Sequence, residues 1–196
     1  MQLELLSQSD LETLSGLIKD ARNIIVCCHK SPDGDAIGSS LAWADYLRQV
    51  GKDPLVIVPD AFPDFLRWLP GVEKVMRYDK HTALCNFCLD FNATSRVDDM
   101  QQALDKATAQ RVVFDHHLNP QINARLLVSF PLMSSTCEIV FRIVWQLGGF
   151  DLLTRQAAVA VYCGMMTDTG GFTYNSTRPE IYVIIGHLLT KGFDKD

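Results

Sequence analysis

Apolar positions follow two periods along this chain. Short runs rich in β-branched and aromatic residues fall at 23–28 (Asn-Ile-Ile-Val-Cys-Cys), 55–58, 74–78, 84–90, 111–114 and 126–130, and each has the length of a buried strand. Between them the spacing changes to that of a helix. Leu11, Leu14, Leu17 and Ile18 behind Ser9 or Asp10 predict a helix over 9–21. Ile37, Leu41, Ala44, Tyr46 and Leu47 predict a second, closed by Gly51. Further helices are predicted over roughly 97–108, 135–148, 154–166 and 179–191, with a loop and short helix over 59–70. The one at 135 opens on Ser135-Thr136-Cys137-Glu138, a capping-box pattern, and the last is closed by Gly192. Strands alternating with helices predict an α/β fold with a doubly wound, mainly parallel sheet flanked by helices, in one domain over 1–192. No internal repeat is visible.

Polar residues fall where these runs end. His29-Lys30-Ser31-Pro32-Asp33-Gly34-Asp35 follows the first strand, Asp90 closes Cys88-Leu89-Asp90, and Asp115-His116-His117 follows the run at 111–114. A fourth segment, Thr167-Asp168-Thr169-Gly170-Gly171, follows a helix-like run. Parallel sheets bind ligands at the carboxyl ends of their strands, so these segments are expected to converge in one cleft. Carboxylates with imidazoles suit Mn²⁺, Mg²⁺, Co²⁺ or Zn²⁺, and a set without thiolate favours Mn²⁺. Asp33 and Asp35, two apart on an expected extended loop, can point into one cleft, with Gly34 leaving room for metal. Two ions about 3.5–4 Å apart need a bridging carboxylate, for which Asp90 is the candidate; together they turn a shared water into hydroxide and polarise a phosphate.

Composition narrows the ligand. The net charge is −5, which argues against a generic basic track for long nucleic acid. Two divalent cations would bring the protein close to neutral with a positive cleft, which suits a short or small phosphate ligand. The longest apolar runs are about half of the ~20 residues that a membrane-spanning helix needs, and the acidic N-terminus lacks a basic leader region. A cytoplasmic protein without membrane association is expected. Six cysteines read as buried free thiols of a reducing compartment. Cys85-Asn86-Phe87-Cys88 has no second pair and lies in a strand-like run, so it reads as structural rather than as a zinc or redox motif. His81 and His187 also read as structural.

The segments HKSPDGDAIGSSLA, LDFNATSRVD, VFDHHLNP and GMMTDTGGF resemble the four ordered motifs of the DHH phosphoesterase (RecJ-like) superfamily, named for the triplet found here at 115–117. SSTCEIVFRIVWQLGG is similar to the helix after the third motif in the bifunctional oligoribonuclease/pAp phosphatase branch. The resemblance implies that His29 and Asp33 bind one metal, that Asp35, His116 and Asp168 bind the other, and that Asp90 bridges. It implies that His117 contacts the phosphate or donates a proton, with Asp115 orienting an imidazole. The implied activity is hydrolysis of short oligonucleotides and of 3'-phosphoadenosine 5'-phosphate (pAp). Other readings are a cyclic-dinucleotide phosphodiesterase, a type II pyrophosphatase, or a metal- or nucleotide-binding module without turnover. Members with nuclease activity resemble a clamp with a C-terminal DHHA1-type domain. Nothing in this sequence corresponds to that domain, and 193–196 reads as the start of a linker. A homodimer is also compatible with the superfamily.

Several residues have two readings. Ser134, Ser135 and Thr136 precede a helix N-terminus and are candidates to hold a substrate anion or simply to cap. Arg96 is a candidate phosphate contact or a surface ion pair. Gly38, Ser39 and Ser40 either admit a phosphate closely or let their helix pack on the sheet. Gly170 and Gly171 are expected to form a turn that aims Asp168.

Overall fold

The computed structural model describes residues 3–79 and 86–195. His81, Cys85 and the start of the strand expected at 84–90 lie outside the described residues. In chain order the elements are α1 (Gln8–Asp20), β1 (Ile25–Cys27), α2 (Gly34–Gln49), β2 (Leu55–Val58), β3 (Met76–Arg77) and β4 (Phe87–Leu89). They continue with α3 (Gln101–Lys106), β5 (Val112–Asp115), β6 (Leu126–Ser129), α4 (Thr136–Gln146), α5 (Arg155–Asp168) and α6 (Pro179–Leu189). The strands form one sheet in the order β3-β2-β1-β4-β5-β6, and every pairing is parallel. This is the doubly wound α/β fold that the alternation predicts. The order reverses between β1 and β4, so the crevice for a ligand opens above their carboxyl ends.

The layers are unequal. Val26, Val56, Phe87, Leu89, Val112, Phe114 and Val128 face a large core shared with α1, α2, α4, α5 and α6. Ile25, Cys27, Ile57, Cys88 and Val113 face a small one, closed by Phe91, Val97, Met100 and Leu104. The helix expected at 97–108 is here a 3-10 segment, Thr94–Met100, broken at Asp98 (φ 46°, ψ −121°), followed by the short α3. Asp98-Asp99 at its centre favours local turns over helix continuation.

Helix α2 is buried on nearly all sides and lies between the sheet and α5. Trp43 on α2 meets Phe87 of β4 and Phe114 of β5 edge-on, at centroid distances of 5.3 and 5.0 Å. Such pairs add about 0.5–1.5 kcal/mol beyond area burial. They fix α2 on the two strands whose ends carry Asp90 and Asp115. Cys27, Cys28, Cys88, Cys137 and Cys163 are buried with free thiols. Among the described residues no helix is long and apolar enough to cross a membrane.

Gly38 belongs to this packing. A Cβ there would lie 2.5 Å from the carbonyl oxygen of Ala160 on α5 and 3.1 Å from the Cys137 Sγ. Of its two readings, close helix packing is the one the geometry supports. In an exposed helix a Gly-to-Ala change gains about 1 kcal/mol. Here a backbone carbonyl stands in the way, so overpacking wins: Gly38→Ala is expected to destabilise by about 1–3 kcal/mol in urea unfolding. A stabilised variant would contradict the close approach of α2 to α5.

Candidate metal centre

Four segments meet above the carboxyl ends of β1, β4 and β5. Asp90 follows the last residue of β4 directly, its backbone held by Asp90 N donating to the Phe114 carbonyl at 2.9 Å. Its φ is +64°, in the left-handed region that Asp tolerates better than most side chains. Asp115 ends β5, and His116 and His117 follow it. His29 stands in the loop after β1, where its Nδ1 lies 2.6 Å from the Lys30 carbonyl oxygen. With Nδ1 donating to that oxygen, Nε2 is left free to accept a cation. The loop carries a strained residue, Ser31 at φ +49°, whose N–H donates to Asp60 Oδ1 at 2.7 Å. Lys30 N donates to the Arg96 carbonyl at 2.7 Å and so ties this loop to the segment after β4.

Asp33 and Asp35 are not on an extended loop. Asp33 caps α2, and its Oδ1 accepts from the N–H groups of Asp35 and Ala36 at 3.0 Å each, while Asp35 already lies in the first helical turn. The Asp-x-Asp spacing across a helix start turns one carboxylate outward and one inward. The Asp33 side chain is 54% exposed and that of Asp35 is fully buried. Gly34 fits because a Cβ would lie 2.5 Å from the Thr167 Oγ1 of α5, not because a metal needs the space.

Asp35 is gripped from the other side. Thr136 N donates to its Oδ2 at 2.6 Å and Cys137 N to its Oδ1 at 2.8 Å, both from the first turn of α4. Thr136 Oγ1 donates to Asp90 Oδ1 at 3.0 Å. Ser135 Oγ caps α4 by accepting from Glu138 N at 3.0 Å. The N-terminus of α4 therefore does hold an anion, but the anion is the protein's own Asp35. Ser134, Ser135 and Thr136 are fully buried, and in this structure their side chains meet Glu138 and Asp90.

Asp168 is the last residue of α5. The chain turns there through Gly170 (φ +55°) and Gly171 (φ +70°), with Gly171 N donating to the Met166 carbonyl at 2.8 Å, a left-handed helix stop that glycine makes easily.

The side chains form two overlapping groups. His29 Nε2 is 3.4 Å from Asp90 Oδ2 and 3.9 Å from Asp33 Oδ2. His116 Nε2 is 3.2 Å from Asp168 Oδ2, 3.5 Å from Asp90 Oδ1 and 3.9 Å from Asp35 Oδ2. Donor atoms of His29, Asp33 and Asp90 lie within 4.8 Å of one another, as do those of Asp35, His116 and Asp168. Both groups could hold a metal ion, and the two oxygens of Asp90 face one group each. Asp90, His116 and His117 also cluster within 4.8 Å. His117 meets Asp90 through Nδ1 at 3.7 Å, but that nitrogen is closer to Asp115 Oδ1, at 2.8 Å. Asp115 Oδ2 also accepts from His117 N at 3.1 Å, so Asp115 locks this ring from two directions.

The electrostatics are those of crowded carboxylates. Burial pushes Asp35 well up, and Asp90 and Asp168 push it further. Burial also raises Asp168, against the opposing effect of His116. Burial works against the charge of Asp90 too, but His29, His116 and His117 outweigh it and hold its carboxyl below the usual value. Burial would lower His116, but Asp168, Asp35 and Asp90 lift it to about 10. Such a set of donors binds protons where it could bind cations.

Glu138, read from sequence as half of a capping box, reaches past the Ser135 N-cap to Ser134. Its Oε2 accepts from Ser134 N at 2.8 Å and Ser134 Oγ at 2.7 Å, and pairs with Arg178 at the start of α6. Its Oε1 pairs with Arg142 at 2.8 Å. The Glu138-to-Arg142 spacing is a helical pair legible in sequence. Arg178 and Asp60 carry no local signal, because their partners are distant in the chain. Arg96 is half-buried near the centre, and among the described residues its guanidinium has no ion-pair partner.

Residues 23–165 match the DHH family, N-terminal domain. A bifunctional oligoribonuclease and PAP phosphatase of Thermus thermophilus is 32% identical over 86% of this chain and 50% of its own length. A cyclic-di-AMP phosphodiesterase of Listeria monocytogenes is 27% identical over 93% of this chain and 30% of its own. The crystal structure of an exopolyphosphatase-related protein from Bacteroides fragilis superposes with a TM-score of 0.92 at 42% identity, covering 97% of this chain and 58% of that one. The chain thus spans between 30% and 58% of the length of these relatives.

Removing Glu138 would break its buried ion pairs with Arg142 and Arg178, so Glu138→Ala is expected to cost about 3–5 kcal/mol in urea unfolding at neutral pH. Burial opposes the charge of Glu138, but Arg178 and Ser134 hold its carboxyl below the ordinary 4.5. A carboxylate lowered on folding contributes its stability above the unfolded value and loses it as pH falls through the folded one. The gap between wild type and variant should therefore narrow below pH 4.5. A gap that stays constant with pH would remove the ion pairs as its cause.

Proposed function

The chain belongs to the DHH family, and from that premise we propose that it is the catalytic part of a metal-dependent phosphoesterase acting on short oligonucleotides and on pAp. The observation that carries the reading is the division of the Asp90 carboxylate, with Oδ2 3.4 Å from His29 Nε2 and Oδ1 3.5 Å from His116 Nε2. One carboxylate facing two donor groups is what a bridged pair of cations requires. In this reading His29 and Asp33 hold one ion, Asp35, His116 and Asp168 hold the other, and Asp90 bridges. The donors are nitrogen and oxygen without thiolate, which favours Mn²⁺, with Mg²⁺ or Co²⁺ as alternatives. Bound there, two such ions supply Lewis-acid stabilisation of the phosphate and an activated water.

The protein's own part is positioning and proton transfer. Asp115 holds His117 through Nδ1 at 2.8 Å, which leaves Nε2 as the ring nitrogen for a substrate. His117 is 31% exposed, open enough to meet a phosphate and to give a proton to the leaving oxygen. Arg96 is the proposed additional phosphate contact. The Thermus relative supports short oligonucleotides and pAp as substrates. A second reading, cleavage of a cyclic dinucleotide, rests on the Listeria relative.

Two measurements test the reading. Mn²⁺ at about 100 times its Kd should stabilise the protein by about 2.7 kcal/mol, read as a rise in Tm of about 5–10 °C. An unchanged Tm in Mn²⁺ would sink the metal centre. With Mn²⁺ present, pAp and dinucleotides should be hydrolysed in preference to cyclic-di-AMP and pyrophosphate. Asp90→Ala should abolish that turnover while the far-UV circular dichroism is kept, and a variant as active as wild type would overturn the bridging role.

A further inference from the structure

We infer that Thr136 is a positioning residue that fixes the two donor groups relative to one another, an inference that rests on the two-metal reading above. Thr136 is fully buried, and both of its donors are committed to carboxylates. Its N–H goes to Asp35 Oδ2 at 2.6 Å and its Oγ1 to Asp90 Oδ1 at 3.0 Å. Asp35 comes from α2 and Asp90 from the end of β4, so one residue of a third element joins carboxylates that the fold brings from separate parts of the chain. The χ2 torsion of Asp is a broad rotor, and nothing intrinsic to the residue decides how its carboxylate plane is turned between the two imidazoles. The Thr136 hydroxyl decides it for Asp90. With Oδ1 accepting from Thr136 on the His116 side, Oδ2 is turned to His29 Nε2.

The position of Thr136 is itself determined. Ser135 caps the helix that Thr136 begins, and Ser134 is bound through both N–H and Oγ to Glu138. Glu138 is paired with Arg178, which starts the helix after the Asp168 turn. The contacts thus run from the segment that follows Asp168 through Glu138 to Thr136, and from there to Asp35 and Asp90. A hydroxyl so buried and so committed is not open to substrate, which sets Thr136 apart from His117 and Arg96.

The test compares Thr136→Val, which removes the hydroxyl but keeps shape and backbone N–H, with Thr136→Ser, which keeps the hydroxyl. Mn²⁺ binding is followed by calorimetry and by the exchange-coupled signal of a manganese pair in electron paramagnetic resonance, with unfolding in chelator as the control for folding. Thr136→Val is expected to bind Mn²⁺ about 10–100-fold more weakly. It should lose the coupled signal at Mn²⁺ concentrations that saturate wild type, and Thr136→Ser should regain it. If Thr136→Val does not fold, Thr136→Ala carries the same expectation. A valine or alanine variant with wild-type affinity and a coupled pair overturns the inference, as does a serine variant no better than valine. Wild-type protein that binds no divalent ion overturns the two-metal reading itself, and that is seen before any substitution is compared.

Discussion

The first turn of α4 gives two N–H groups to the Asp35 carboxylate, at 2.6 and 2.8 Å, and the rest of the centre is built around that contact. A helix start has four N–H groups without intrahelical partners and the positive end of the helix dipole. A carboxylate is a good partner for it, and a fully buried carboxylate needs one, because burying an unpaired charge is far more costly than any other local defect. The start of α2 does the same for Asp33 through Oδ1. Two helix N-termini therefore neutralise part of the charge of two acids only two residues apart. Without that, Asp33 and Asp35 could not stand beside Asp90 and Asp168.

What the helix starts do not neutralise remains as tension. Asp35 and Asp168 are pushed up while His116 is lifted to about 10, so the cluster balances its charge with protons. The fold offsets this local frustration elsewhere. Trp43 seats α2 against Phe87 and Phe114, and α5 approaches α2 so closely that Gly34 and Gly38 have no room for a Cβ. These contacts are apolar or backbone-tight and indifferent to pH. They hold the carboxylates together although the carboxylates repel.

The fold was legible because strand and helix periods alternate cleanly from 23 to 191, and the convergence of His29, Asp90 and Asp115 followed from strand ends in a parallel sheet. The strand ends gave positions, not hydrogen bonds. The Asp33-Gly34-Asp35 segment reads as a loop because Gly at its centre is a poor helix former, yet a helix begins there, since Asp33 caps it and only Gly fits against Thr167. The break at Asp98 was hidden because Val97, Met100 and Leu104 keep a helical spacing while burying themselves through a kinked path. The start of α4 faces an anion, as a helix N-terminus favours, and that anion is Asp35. Only the packing of α2 on α4 reveals that Asp35 occupies the place, and a contact made across about half the chain leaves no local pattern. Arg178 is the same case: its partner Glu138 looks fully employed by its own helix.

The exposure of the ligand candidates gives the centre a direction. Asp35 and Asp90 are sealed, with side chains 0% and 2% exposed, whereas Asp33 is 54% and His117 31% exposed. Solvent reaches the cluster from the side of Asp33 and His117. Asp168 supports the same picture from behind. It sits at the C-terminus of α5, the negative end of that helix, where a carboxylate is electrostatically misplaced. Gly170 and Gly171 spend two left-handed residues to keep it there, beside His116 at 3.2 Å. The ion pair with His116 offsets only part of that cost, because burial still holds the Asp168 carboxyl above its usual range. A cation held by Asp35, His116 and Asp168 would gain from this position, because the C-terminal end of α5 and the carboxylate are both negative. On the proposed reading the buried side of the cleft is thus shaped to hold cations and the open side to receive an anion, and His117, fixed by Asp115, stands on the border between them.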